Sequence, residues 1–573
     1  MDSTQYNVSH YLLDRLKQLG VDHLFAVPGD YASPFLKTLE AYPAIERVAN
    51  INELGVGYAC DGYARCRGIA AASVQYGVGT LSIINCIAGA WVERLPIVLI
   101  GPSPSSADRD ITRNQGVLFH HSTGNLAVNR EAMKLVTAAS IEVRNGVEAP
   151  ALIDAALQAM LDTHRPIYIE VWEDAFSCSC KRPDGTLQAR PRPCNQAMLS
   201  AMLDEIMKRL QQSKKPVLWL GVEVQRQGLQ DLAQSIVDHS GLPFTTTSLG
   251  KTVLSEDQPG FLGTFSGPAS PTLTQTVMNE TDCVCALGTI ITDDYLDIMR
   301  VQYESMIEVN DERARIGSTH FQQVPLADLM RGLLARLETN PSFPRKISLP
   351  EVPPELISIP QADTRLSYET FYNVLADWLI GEGHCRRSKL ILGESTSLYV
   401  FGNLFGLPRD GFIAQAAWGS LGHETGCALG IELGSGQRPI IVAGDGGFMM
   451  ICQEVSSLVR QNSNAIVFVM ANGGYAIEQA FVDIEAFSEG GQYAPFDLLP
   501  SWDFQALAKA FGAKGYSVGT VGHLQDVLTE LAIPTGQPSL VEVKLPLQDL
   551  APQLRRLATP SPQDHSANQK AVR

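Results

Sequence analysis

Two oxygen-donating side chains, Asp445 and Asn472, stand 27 residues apart, and each follows a short apolar run. Ile440–Ala443 reads as a buried strand ending in Gly444-Asp445-Gly446-Gly447. A helical pattern continues to about Arg460, and a second apolar run, Ala465–Met470, ends at Asn472-Gly473-Gly474. A strand–loop–helix–strand unit of this kind presents its chemistry at the carboxyl ends of parallel strands. A carboxylate and a carboxamide placed there are hard donors, suited to Mg2+ held by few protein ligands and a phosphate. The glycines let backbone N–H groups and a helix N-terminus approach an anion. Within this stretch neither the Gly-Lys-Ser/Thr of a Walker loop nor a GxGxxG dinucleotide fingerprint is present. Gly-Asp-Gly alone is equally an ordinary turn between strand and helix; the second donor at the next strand end is what argues for a site.

The elements that must position these donors alternate strand and helix from Val21 onward. Strands are expected near His23–Val27, Glu46–Ala49, Ala70–Gln75, Ile97–Ile100 and Pro166–Val171, with Gly77-Val78-Gly79 opening a helix. Such alternation predicts an open parallel sheet covered on both faces. A polar, proline-bearing linker, Lys181–Cys194, precedes a second α/β region with a helix over Met198–Leu210. Its strands are expected at Pro216–Leu220, Pro243–Thr247, Asp282–Leu287 and Met306–Asn310, and it carries no chemical motif. Six prolines between Glu338 and Arg365 mark another boundary. At 573 residues the chain is too long for one core. The expectation is an α/β protein of three doubly wound domains with mainly parallel sheets, at 1–180, 195–340 and 363–550. A tail at 551–573 follows, its end expected to be mobile.

Apolar content of 45% and charged content of 18% describe a packed globular chain. A net charge of −17, without a basic run, excludes a nucleic-acid surface. The eleven cysteines form no CxxC pair, and Cys178/Cys180 with Cys283/Cys285 make too poor a set for zinc. Free thiols of a reducing cytosol are the expectation. The start, MDSTQYNVSHYLLDRLKQLG, is acidic and amphipathic, unlike a signal peptide. Val78–Ile100, interrupted by glycines and Glu93-Arg94, reads as a buried helix followed by a strand, so a soluble, cytoplasmic protein is expected.

Further candidates lie in the first third. Glu53 opens a helix after a strand in NINELGVGYACDGYARCRG, where a glutamate also simply complements the helix dipole. His120-His121 lies in the loop LFHHSTGN, and such a pair is often solvent-exposed. Asp30 in VPGDY is equally a turn aspartate. In the last third, Glu478 starts a helix six residues past Asn472. Taken together, the GDG followed by Asn and then GGYAIE, Asn52-Glu53 with its following YAxDGYAR, and the adjacent histidines resemble the thiamine-diphosphate-dependent 2-oxo acid decarboxylases of the pyruvate and indolepyruvate decarboxylase type. The resemblance covers nearly the whole chain. It departs at Ala32, Thr80, Ser122-Thr123, Ser395-Thr396-Ser397 and Ala471, where relatives carry other residues.

The resemblance implies a pyrimidine-binding, a middle and a diphosphate-binding domain, in that order. It implies that Asp445, Asn472 and the carbonyl of Gly474 hold Mg2+ against the diphosphate, with Gly446, Gly447, Ser395 and Thr396 beside it. Glu53 would activate the aminopyrimidine, the Gly419 carbonyl would accept from its amino group, and Leu421 would be the apolar wedge that bends the cofactor. Asp30, His120, His121 and Glu478 would handle protons, histidine being suited near neutral pH. The implied reaction is non-oxidative decarboxylation of a 2-oxo acid to an aldehyde through a cofactor carbanion, in a homodimer at minimum and a tetramer in many relatives. Leu398, Tyr399, Val400, Phe401, Ile477 and Phe481 are the pocket candidates; their bulk suggests an apolar, branched, aromatic or medium-length substrate, with pyruvate as the alternative. A carboligating synthase of the acetohydroxyacid type, or a silent cofactor-binding scaffold, are the competing expectations.

Overall fold

Continuous apolar runs become strands buried on both faces, and the chain builds three sheets from them. The computed structural model describes residues 6–352 and 357–559. In the first sheet, β1 (His23–Ala26), β2 (Glu46–Ala49), β3 (Ala70–Ser73), β4 (Ile97–Ser103), β5 (Ala139–Val143) and β6 (Ile167–Trp172) lie in the order β2-β1-β3-β4-β6-β5. Every pairing in it is parallel.

The second sheet holds β7 (Pro216–Leu220), β8 (Phe244–Thr247), β9 (Phe261–Phe265), β10 (Cys283–Leu287), β11 (Ile307–Val309), β12 (Ala314–Ile316) and β13 (Thr319–His320). It is parallel from β9 through to β11 and antiparallel at the β11-β12-β13 edge. The third sheet orders β14 (Ser388–Leu392), β15 (Phe412–Ala414), β16 (Arg438–Gly444), β17 (Ile466–Ala471), β18 (Lys514–Val518) and β19 (Ser539–Lys544) as β15-β14-β16-β17-β19-β18, again all parallel. The expected α/β architecture of three mainly parallel sheets is therefore present. The first and third sheets share one topology, which no sequence repeat announces.

The chain packs as two compact units, one of Met1–Pro191 with Trp418–Gln437 and Ile451–Ser463, the other of the remainder. In the first unit the helix Glu53–Arg67 lies against Ala428–Ser435 so closely that only glycine fits. A Cβ on Gly430 would sit 1.8 Å from the Ala59 carbonyl oxygen, and one on Gly62 would sit 2.3 Å from that of Cys427. In the second unit one core gathers Leu390, Phe401, Ile440, Phe468 and Val541 around the third sheet.

Two local expectations are corrected. The helix anticipated to run unbroken from the glycine turn to Arg460 is two helices, Asp445–Ile451 and Glu454–Arg460. Asp445 itself opens the first of them, because Gly446 and Gly447 adopt helical geometry rather than a loop. The tail begins with a short helix, Pro552–Ala558, and its expected mobile end lies outside the described residues. Among the described residues no helix is long and apolar enough to cross a membrane.

Candidate active site

An open parallel sheet binds ligands where its strand order reverses, outside the carboxyl ends of the two strands that diverge. In the third sheet those strands are β14 and β16, and their ends carry Ser395 and Asp445. Ser395 caps the helix Thr396–Phe401 through the Ser397 N–H, and an added Cβ on Gly444 would sit 3.4 Å from its side chain. Asp445 accepts from its neighbour's N–H at Gly446 (3.0 Å) and, from the next strand end, from Gly473 N–H (2.7 Å). Burial pushes its carboxyl up to about 6 despite these donors. Among the described residues no cationic side chain pairs with it.

Asn472 follows β17 and is buried, with Nδ2 unpartnered. Its Oδ1 faces the Gly474 N–H at 3.4 Å, and the Gly474 carbonyl accepts from Ala476 N–H. The loop is stitched down by Tyr475 N–H to the Asp497 carbonyl and Leu499 N–H to that of Gly473. Gly446 is packed beneath Tyr475, whose ring an added Cβ would meet at 2.2 Å; Gly447 is buried beside it. An unmatched buried carboxamide and an uncompensated buried carboxylate fit a divalent cation. Asp445, Asn472 and Gly474 are thus brought together on one unit, with Ser395 at the neighbouring strand end. Thr396 is buried. Glu478 is exposed in the first turn of Ala476–Val482.

The first sheet repeats the arrangement with different chemistry. The loops that follow its diverging strands β1 and β3 carry Asp30 and Gln75. Asp30 Oδ1 accepts from Gln75 Nε2, and its Oδ2 lies 2.8 Å from His120 Nε2. Burial raises the Asp30 carboxyl, but hydrogen bonds from Gln75, His120 and the Tyr31 N–H outweigh it and hold it below the usual range. His120 stacks on Tyr31 (4.8 Å between ring centroids), and the His121 ring meets it edge-on. His121 has a left-handed backbone (φ 64°), and its carbonyl rests where a Cβ on Gly77 would be (1.9 Å). The three titratable groups gather with ligand atoms within 4.8 Å of one another.

Glu53 is half-buried at the start of its helix, behind the Asn52 N-cap, and its Oε1 would lie 3.2 Å from a Cβ on Gly79. Gly419 is left-handed (φ 68°), and Leu421 follows it, half-buried. This loop is anchored by Asn85, which motif reading did not single out: Trp418 Nε1 donates to Asn85 Oδ1 (2.9 Å), Asn85 Nδ2 to Ser420 Oγ (2.8 Å), and Ser420 pairs with Tyr58. Gln75 and Tyr31 were likewise missed; their only sequence signal was adjacency to a strand end.

The pocket candidates need correction. Leu398, Val400 and Phe401 belong to the core, Phe401 packing on Phe371 and Tyr372, so they do not line an open pocket. Tyr399 is buried with its hydroxyl donated to Asp294 (3.1 Å). Ile477 is half-buried against the same core and Phe481 is exposed.

The family models for the thiamine pyrophosphate enzymes match in sequence order: the N-terminal TPP binding domain over 6–128, the central domain over 203–337 and the C-terminal TPP binding domain over 399–543. The chain belongs to the thiamine-diphosphate-dependent 2-oxo acid decarboxylase family. It is 29% identical over 566 residues to a probable pyruvate decarboxylase of Schizosaccharomyces pombe, covering 96% of this chain and 94% of that one. It is also 29% identical to an alpha-keto-acid decarboxylase of Mycolicibacterium paratuberculosis, over 98% of both chains. To pyruvate decarboxylase isozyme 3 of Saccharomyces cerevisiae it is 27% identical, over 95% of this chain and 96% of that one.

Proposed function

We propose that the protein decarboxylates a 2-oxo acid with an apolar side chain, without oxidation, to an aldehyde and CO2. The observation that carries this reading is the Asp30–His120–His121 cluster at the first sheet's switch point: it is equipped to exchange protons, not to hold a second keto acid. Asp445, Asn472 and the Gly474 carbonyl would hold Mg2+ and through it the diphosphate. Bound thiamine diphosphate supplies an electron sink for the charge left by departing CO2.

The remaining roles belong to this chain's own residues. Glu53 would hold the aminopyrimidine ring by a hydrogen bond, while the Gly419 carbonyl and Leu421 would orient it. Asp30, an acceptor at neutral pH, fixes His120 through Nε2 and leaves Nδ1 for proton exchange. His121 and Glu478 complete the proton-handling set. Ile477 and Phe481 are the apolar side chains that favour a bulky substrate over pyruvate. The donors fall on separately packed units, Asp445 and Asn472 on one and Glu53 and His120 on the other. As in the family, a homodimer would be the smallest active form, with a tetramer built from it. Eleven free thiols suit a reducing cytoplasm.

A panel of 2-oxo acids, from pyruvate to branched and aromatic acids, tests the reading with products identified by NMR. Aldehyde from the bulkier acids supports it. Faster turnover of pyruvate would overturn the substrate assignment, and an acetolactate-type product would make the enzyme a carboligating synthase.

A further inference from the structure

A buried glutamate packs against the first turn of the Glu53 helix. Glu454 opens the helix Glu454–Arg460, is 2% exposed, and pairs with no cation among the described residues. Its Oε2 accepts from Asn50 Nδ2 (2.9 Å) and from Ser457 Oγ (2.7 Å), and its Oε1 accepts from the Ile51 N–H (3.1 Å). Asn50 and Ile51 are the link between the end of β2 and the Asn52 cap of the Glu53 helix. A Cβ on Gly55, in that helix's first turn, would lie 2.1 Å from Glu454 Oε1, so the glycine makes room for this carboxylate.

We propose that Glu454 is a positioning residue for Glu53, clamping the strand-to-helix link that fixes where the Glu53 carboxylate points. A buried carboxylate satisfied only by neutral donors is expensive, and each hydrogen bond to it is stronger than a neutral one. Two of the three donors, Asn50 and Ile51, are 404 and 403 residues away in sequence and sit on the link itself, while the third, Ser457, belongs to the helix of Glu454. Glu53 is the first helical residue, so any freedom in the link becomes freedom at its carboxylate. The inference rests on the activating role given to Glu53 above.

The test uses full-length holoenzyme with saturating thiamine diphosphate and Mg2+, and reads exchange of the cofactor C2 proton for deuterium by quenched NMR. Melting of the apoprotein and separate kcat and KM values accompany it. Glu454→Ala should lower exchange and kcat together by roughly tenfold or more, the size of one lost hydrogen bond to a charged group, with KM little changed. Glu454→Gln, which keeps an acceptor for the Ile51 N–H, should recover part of the loss. A folded Glu454→Ala enzyme with wild-type exchange overturns the proposal. Should that variant fail to fold, Asn50→Ala, which removes one bond of the clamp, is expected to slow exchange, and wild-type exchange in it is equally fatal. Glu53→Gln separates the two levels: if it exchanges normally, the role of Glu53 itself falls, whatever Glu454 does.

Discussion

Asp445 illustrates how a site residue strains the protein that carries it. Its carboxyl is raised to about 6 by burial, against an ordinary value near 3.8. A raised folded-state pKa means the group favours folding only at low pH and opposes it increasingly as pH rises through about 6. Asp445→Asn should therefore stabilise the apoprotein at pH 8 by roughly 1–3 kcal/mol, measured by denaturant unfolding, while losing Mg2+-dependent cofactor binding. Glu53→Gln is expected to lower kcat by about two orders of magnitude or more with unchanged circular dichroism, since it keeps shape and removes charge. Asp445, Asn472 and Glu53 were legible in the sequence because each stands at a strand end with telling neighbours. Glu454 and Asn85 were not, because their partners lie hundreds of residues away and a buried acid inside an amphipathic pattern looks like a solvated one.

At the scale of elements, close backbone approach holds the site together. The loop bearing the histidine pair rests on Gly77, which is itself left-handed (φ 62°). Gly77→Ala would meet both steric exclusion and backbone strain, so activity should fall at least tenfold while the melting temperature moves by only a few degrees. Gly430→Ala, by contrast, pushes a methyl into the Ala59 carbonyl inside the helix pair. Destabilisation by about 1–3 kcal/mol, or misfolding, is the expected outcome in thermal melts. The strand–helix rhythm was visible from periodicity, but β5, β9, β12, β13, β14, β15, β18 and β19 were not anticipated. Of these, β5, β12, β13 and β18 are short or only half-buried edge elements, or paired antiparallel at a rim, and give no continuous apolar run. The break between Ile451 and Glu454 was hidden because Cys452-Gln453 carries no glycine or proline.

Across the whole molecule two sheets share one strand order, and the proposed function assigns metal and phosphate binding to one switch point and proton handling to the other. The shared strand order could not be read in advance, since it is set by which faces the helices cover, not by local residue pattern. The first unit is held by a buried charge cluster: Asp61 with Arg65 and His423, and Arg65 with Glu93. Burial opposes charge on His423, but Cys427 and the Asp61 carboxylate outweigh it and hold the imidazole up to about 10. Raised from an ordinary 6.5, it supports folding fully below about 6.5 and loses that contribution as pH approaches 10. Wild-type stability should decline over this window relative to His423→Phe, whose pH profile should be flatter.

The most direct test of the central claim is calorimetric titration of thiamine diphosphate into the apoprotein, with and without Mg2+. The account predicts saturable binding that requires the metal and disappears in Asp445→Asn. Equal affinity with and without Mg2+, or in the variant, would contradict it.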